Sequence, residues 1–171
     1  MNEMSRNLWR VAYAVFVKWW PQNQWFPFAR YARSFFAHRV CAEAADHIVI
    51  DRNATFSSKT YMGNYARIGR NCELHGVVHL GNHVMMAPEV VSHTVNHEHG
   101  SLSSPMDSQG DAAMKPIYVC NDVWLGQRVM VMSGVHISVG CIAGAGDVVT
   151  KDLPPYSVGR GCSLSRNRLA A

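Results

Sequence analysis

Charge is scarce in this chain of 171 residues: Asp, Glu, Lys and Arg make up 16%, against 48% apolar residues. Disordered chains show the reverse balance, so an ordered core is expected. Long apolar runs are missing as well. The longest, Val11 to Val17, is too short to span a bilayer and is bracketed by Arg10 and Lys18. No small-residue cleavage site follows before Trp19-Trp20-Pro21, so this stretch reads poorly as an export signal. Cysteines are few and odd in number (Cys41, Cys72, Cys120, Cys141 and Cys162), and none is spaced as CxxC. That pattern excludes a disulfide framework and a zinc knuckle and fits reduced thiols in the cytoplasm. The length suits one domain, or one domain with an appendage.

The formal charge of +4 is unevenly spread. Residues 1–46 carry six basic and three acidic groups, residues 47–158 seven and nine, and residues 159–171 three and none. A basic excess confined to the ends argues against a nucleic-acid groove along the body. It suits a membrane surface near one end and a small polyanion near the other.

What the chain does have is a period of six. Ile50, Phe56, Met62, Ile68, Leu74, Leu80, Met86 and Ser92 follow one another at that interval, and the frame resumes as Val119, Leu125, Val131, Ile137, Ala143 and Val149. Four residues after each sits a small or β-branched companion, such as Ala54, Ala66, Cys72, Val84 or Val129. Six matches neither the 3.6-residue helix nor the two-residue strand. It fits a short strand followed by a corner, repeated, so that three strands and three corners make an eighteen-residue triangular coil. Stacked coils then lie about 4.8 Å apart. Glycine or asparagine is expected to supply positive φ at the corners. The fold class read from this pattern is all-β: a parallel β-helix of hexapeptide repeats over residues 47–158.

The frame breaks once, between Ser92 and Val119, where about twenty-one residues are inserted, read as a loop from Glu98 to Tyr118. A long loop on a rigid repeat scaffold commonly carries function. Ahead of the repeats, residues 1–46 read as a helical, aromatic and basic segment broken over Pro21 to Pro27. Capping of the open coil end is the first reading of that segment and peripheral membrane contact the second. Residues 159–171 form a basic tail.

Several stretches resemble the hexapeptide-repeat O-acetyltransferases: VMMAPEVVSHTVNHEHG, KPIYV, NDVWLGQRVMVMSGVHI and GAGDVVTKDLPPYSV. The group includes galactoside and maltose acetyltransferases. IGRNCELHG and PMDSQG are more similar still to the branch found in capsule, exopolysaccharide and O-antigen biosynthesis. The resemblance covers about residues 47–158. It implies a left-handed β-helix, assembly as a homotrimer, acetyl-CoA lying between neighbouring prisms, and direct acetyl transfer to a sugar hydroxyl of a glycan precursor. No metal is implied.

An alcohol attacks a thioester slowly unless a base removes its proton in the transition state, and histidine is suited to that task. The resemblance of TVNH to the family's motif puts His97 in that role, with His93 and His99 as weaker candidates. It puts the backbone N–H of Gln127 at the oxyanion, although the family usually has a small residue there. Trp124, Ala145, Thr150 and Lys151 match cofactor-groove positions, and Arg168 matches the last family arginine by spacing. The tail departs from the family, since GRGCSLSRNR stands where an ending like GNPAKVIR is usual. On the acceptor side Gly69 falls near the family's asparagine, leaving Asn71 as the nearest candidate, with Glu73 beside it.

Rival readings use the same fold differently. An antibiotic O-acetyltransferase would share the base and cofactor groove. A γ-type carbonic anhydrase would need zinc held by histidines such as His75, His79 and His83. A non-enzymatic scaffold would explain the atypical tail. The place expected is the cytoplasm, or the inner face of the membrane.

Overall fold

The computed structural model describes residues 2–160 and 163–166. Two helices, α1 (Glu3–Phe16) and α2 (Pro27–Val40), precede a solenoid of short strands. Asn2 caps α1 by accepting the Ser5 N–H, and Pro27 opens α2 at the position where a missing N–H costs nothing. From Glu43 onward, short strands, most of two or three residues, form three walls that are paired in parallel up to a closing hairpin. The first wall stacks Glu43–Ala44, Thr60–Met62, Val78–Leu80, Ile117–Val119 and His136–Ile137. The second runs from Val49–Ile50 through Trp124–Leu125 to Ser157–Arg160, and the third from Thr55–Phe56 to Val148–Val149. Together they make a left-handed β-helix of about six turns. An antiparallel hairpin, Ser157–Arg160 with Ser163–Arg166, ends the second wall.

The register shows why six is the period. Glu43 faces Tyr61 and Tyr61 faces His79, eighteen residues on each time, so three hexapeptides close one coil. His79 then faces Tyr118, which is one coil plus the twenty-one inserted residues. All fourteen frame residues from Ile50 to Val149 point into the prism, none more than 6% exposed, including the polar Ser92. Burial of a Leu or Ile side chain contributes about 1.5–3 kcal/mol.

The corners differ from expectation. Positive φ falls at Gly134, Gly140 and Gly146, but also at His47, Tyr65, His83, Glu89, Asp122, Arg128 and other residues with side chains. The left-handed conformation costs these residues about 1–2 kcal/mol each. In the stacked coils it is offset because N–H groups at these corners bond across to the coil below: His83 to Asn64 O at 2.8 Å, Glu89 to Arg70 O at 2.8 Å and Arg128 to Pro88 O at 3.1 Å. The glycines that follow the large residues serve another purpose. At Gly69 a Cβ would lie 2.5 Å from the Met86 carbonyl oxygen, so the stacked coils leave no room for one.

The helices cover the first coil. Tyr13 and Val17 of the α1 region and Ala37 and Val40 of α2 share a hydrophobic cluster with Ile50 and Phe56, and the Tyr13 hydroxyl donates to Ala54 O at 2.9 Å. Buried Arg33 ties the interhelical link down by donating to Asn23 Oδ1 at 2.7 Å, to Pro21 O at 2.9 Å and to Trp20 O.

Candidate functional site

The insertion is built as an arm. It leaves the third wall after Ser92 and returns at Ile117, earlier at both ends than the loop read from composition, because its flanks pair with each other. Lys115 N–H donates to Thr94 O, Ala112 to Asn96 O and Glu98 to Gly110 O, at 2.8–3.0 Å. The root is fixed by buried Thr94, whose hydroxyl donates to His75 O and whose carbonyl also accepts from Ser133 Oγ. Gln109 closes the tip, its side chain bonding the backbone of Ser101 and Ser104.

This pairing makes His97 and Asp111 opposite residues of an antiparallel bridge. Both flanking hydrogen bonds lie outside the pair, which is the arrangement with the closer side chains. His97 Nδ1 lies 2.9 Å from Asp111 Oδ1. A carboxylate only accepts, so Nδ1 carries a proton, and in the neutral ring the lone pair is then on Nε2. The two side chains are 83% and 65% exposed, open to whatever approaches the arm. Asp111 was not singled out in the sequence. Its partnership with His97 arises only from the self-pairing of the insertion, which no short motif signals. His99 lies beyond the pair, its Nδ1 3.2 Å from His97 O. His93 is engaged elsewhere, stacked on His75 with centroids 5.5 Å apart.

The remaining candidates fall on two edges of the prism. Thr150 and Lys151, both exposed, follow the third wall on the edge from which the arm grows. Trp124, 49% exposed, stands on the second wall between Met85 and Ile142. Gln127 and Ala145 occupy the next corner, on the far side of the third wall. There the coils touch: a Cβ on Gly126 would meet Ala145 N at 2.7 Å. The carbonyl of Gln127 accepts from Gly146, whereas its N–H donates to no group among the described residues. One chain therefore gathers His97, Thr150 and Lys151 on one edge and Trp124, Gln127 and Ala145 near another. Arg168 lies outside the described residues.

Asn71 sits at a corner with φ of 56° and accepts from Asn53 Nδ2 at 3.0 Å, an interaction between stacked coils. Glu73 is paired with His75 at 3.0 Å. The evenly spaced His75, His79 and His83 are dispersed over a corner, a wall and the next corner. His79 lies stacked between Tyr61 and Tyr118, with centroids 4.2 and 4.7 Å away, and His83 lies on Tyr65 at 5.0 Å. Burial lowers the pKa of His79, favouring its neutral ring.

No protein-family model matches the chain. Among curated proteins it is 37% identical over 91 residues to a galactoside O-acetyltransferase of Lactococcus lactis, covering 52% of this chain and 42% of that one. It is 28% identical over 166 residues to an Escherichia coli acetyltransferase named WcaF for colanic acid biosynthesis, covering 94% of this chain and 84% of the relative. The chain spans about half the length or less of the first galactoside relatives it matches. Among solved structures, a galactoside acetyltransferase in complex with coenzyme A superposes with a TM-score of 0.73 at 22% identity, covering 95% of this chain and 80% of that one. In its six-residue frame, its left-handed prism and these matches, the chain is similar to the hexapeptide-repeat acetyltransferases.

Proposed function

We propose that this protein transfers the acetyl group of acetyl-CoA to a hydroxyl of a sugar in a surface-polysaccharide precursor, with His97 as general base and Asp111 as its positioning partner. The observation that carries the reading is the 2.9 Å contact between His97 Nδ1 and Asp111 Oδ1 on an arm rooted in the coil stack. The names of the relatives, galactoside O-acetyltransferase and colanic acid biosynthesis acetyltransferase, supply the substrate class.

In this reading His97 Nε2 takes the proton of the attacking hydroxyl as its oxygen closes on the thioester carbonyl. Charge then develops on the carbonyl oxygen, where the unengaged N–H of Gln127 donates. As the tetrahedral adduct collapses, the imidazolium returns its proton to the departing thiolate of CoA. Asp111 keeps the ring in the tautomer that can accept at Nε2. Small Ala145 leaves the backbone open to the pantetheine arm, and Lys151 offers a cation to phosphate. Trp124 packs beside the thioester arm. Arg168 keeps its place as a candidate for the nucleotide end and Asn71 for the acceptor.

The base and the oxyanion donor lie on different edges of one prism, so one catalytic centre needs the arm of one copy against the corner of another. A homotrimer meets this requirement. The activity belongs in the cytoplasm, where acetyl-CoA is made.

The test is acetyl transfer from labelled acetyl-CoA to a panel of glycan precursors, followed by mass spectrometry. His97→Ala is expected to lower kcat at least ~10²-fold while calorimetry shows CoA binding retained. Near-normal turnover in that variant removes His97 from the mechanism.

A further inference from the structure

The N-terminal helices have two apolar faces each, and only one is spent on the prism. On α1, Tyr13 and Val17 face inward, while Met4, Leu8, Val11 and Val15, spaced four, three and four, form an exposed stripe on the other side. On α2, Ala29, Arg33, Ala37 and Val40 are buried, and Phe28, Tyr31 and Phe35 stand exposed opposite them. Trp19, Trp25 and Phe26 of the link are exposed as well. Half of the exposed large apolar residues among those described thus lie between Met4 and Phe35. Because both inner faces rest on the same first coil, the outer faces point away from the prism.

Charge decides what such a surface meets. From Met4 to Ala42 there is no acidic residue, whereas Arg6, Arg10, Lys18, Arg30, Arg33 and Arg39 are all basic. Arg33 is consumed internally, Arg6 turns inward to donate to Ala42 O at 3.2 Å, and Glu3, just outside this stretch, is paired with Lys59 at 3.9 Å, which leaves Arg10, Lys18, Arg30 and Arg39. Two cations sit over aromatic rings: Lys18 over Trp19 at 5.2 Å, and Arg39 over Phe35 at 4.7 Å and Trp9 at 5.2 Å. They are held at the level of the aromatic side chains, as cations are at a lipid–water boundary. Two such layers brought face to face would repel each other, so a second copy is disfavoured. An anionic bilayer supplies both the apolar interior and the opposite charge.

We infer that the outer face of the two helices docks on the surface of a membrane containing anionic lipid. The helices lie flat: no helix among the described residues is long and apolar enough to cross. The N-terminal end of the prism then faces the bilayer, with the helices serving as cap and anchor through opposite faces. The inference does not depend on the acetyl-transfer reading.

The experiment is flotation of the full chain with vesicles of phosphatidylcholine alone or with about 30 mol% phosphatidylglycerol. The wild type is expected to float with the anionic vesicles, at least ~10-fold less with the neutral ones, and less in about 0.5 M salt. The combined Leu8→Ser, Val11→Ser and Val15→Ser variant should stay at the bottom while keeping its circular dichroism and a Tm close to that of the wild type, because those side chains are mostly exposed and none belongs to the buried cluster. Equal flotation of variant and wild type, or no flotation of the wild type, overturns the inference. So does a wild-type self-association that the triple variant abolishes without any vesicle binding, which would make the stripe a seam between copies.

Discussion

His97 acquires its partner from the far flank of the arm, and the partner's effect is separable from bulk. Asp111→Asn places an amide at the same distance, and its NH2 can donate to Nδ1, which moves the ring proton to Nε2 and blocks the base. Asp111→Ala leaves the tautomers free. In the acetyl-transfer assay, Asn is therefore expected to lower kcat more than Ala does, by about 10²-fold against about 10-fold, with KM for acetyl-CoA unchanged. Equal losses would reduce Asp111 to a contact that merely shapes the arm. Arg33 is the structural counterpart. Its removal leaves Trp20 O, Pro21 O and Asn23 Oδ1 without their donor. Arg33→Met should cost about 2–4 kcal/mol in denaturant unfolding. Arg33→Lys should recover only part, since one ammonium does not reproduce the planar fork.

At the scale of the element, the walls were legible in the sequence and the arm was not. The six-residue frame is visible because each coil repeats one burial pattern, and Ile50, Phe56, Ile68 and Leu125 all end inside the prism. The arm's position was legible as a broken frame, but its hairpin was not, because Thr94-Val95-Asn96 and Ala112 carry no turn chemistry or alternation that marks pairing. Nor were the corners, where Tyr65, His83 and Arg128 adopt a conformation that their side chains disfavour in isolation. Only the stacked coil below makes it tolerable. The glycines follow a stricter rule. Gly69→Ala puts a Cβ against the Met86 carbonyl, a backbone atom that cannot rotate away. A loss of about 1–3 kcal/mol is expected in thermal unfolding. An unchanged Tm would mean that the coils separate at little cost.

For the whole molecule, acidic protons buried inside the prism and beneath its helical cap set how stability responds to alkali. Burial pushes the Cys41 thiol from 9.0 up to about 12 and the Cys72 thiol from 9.0 up to about 11. Both favour the neutral form when folded, and so does Tyr13, whose pKa burial also raises. The unfolded chain gives up these protons first, so between its pKa and the folded one the native state binds more protons and stability falls as pH rises. The contribution is fully present below about pH 9 and is lost toward pH 11 for Cys72 and pH 12 for Cys41. Each thiol then removes up to about 1.4 kcal/mol per pH unit. Urea midpoints should be level from pH 7 to 8.5 and decline steeply by pH 10.5. Cys41→Ala with Cys72→Ala should lower stability at pH 7, because methyl-sized gaps open, yet flatten the alkaline decline. A decline as steep in the double variant as in the wild type would mean that water reaches the prism core before the coils come apart.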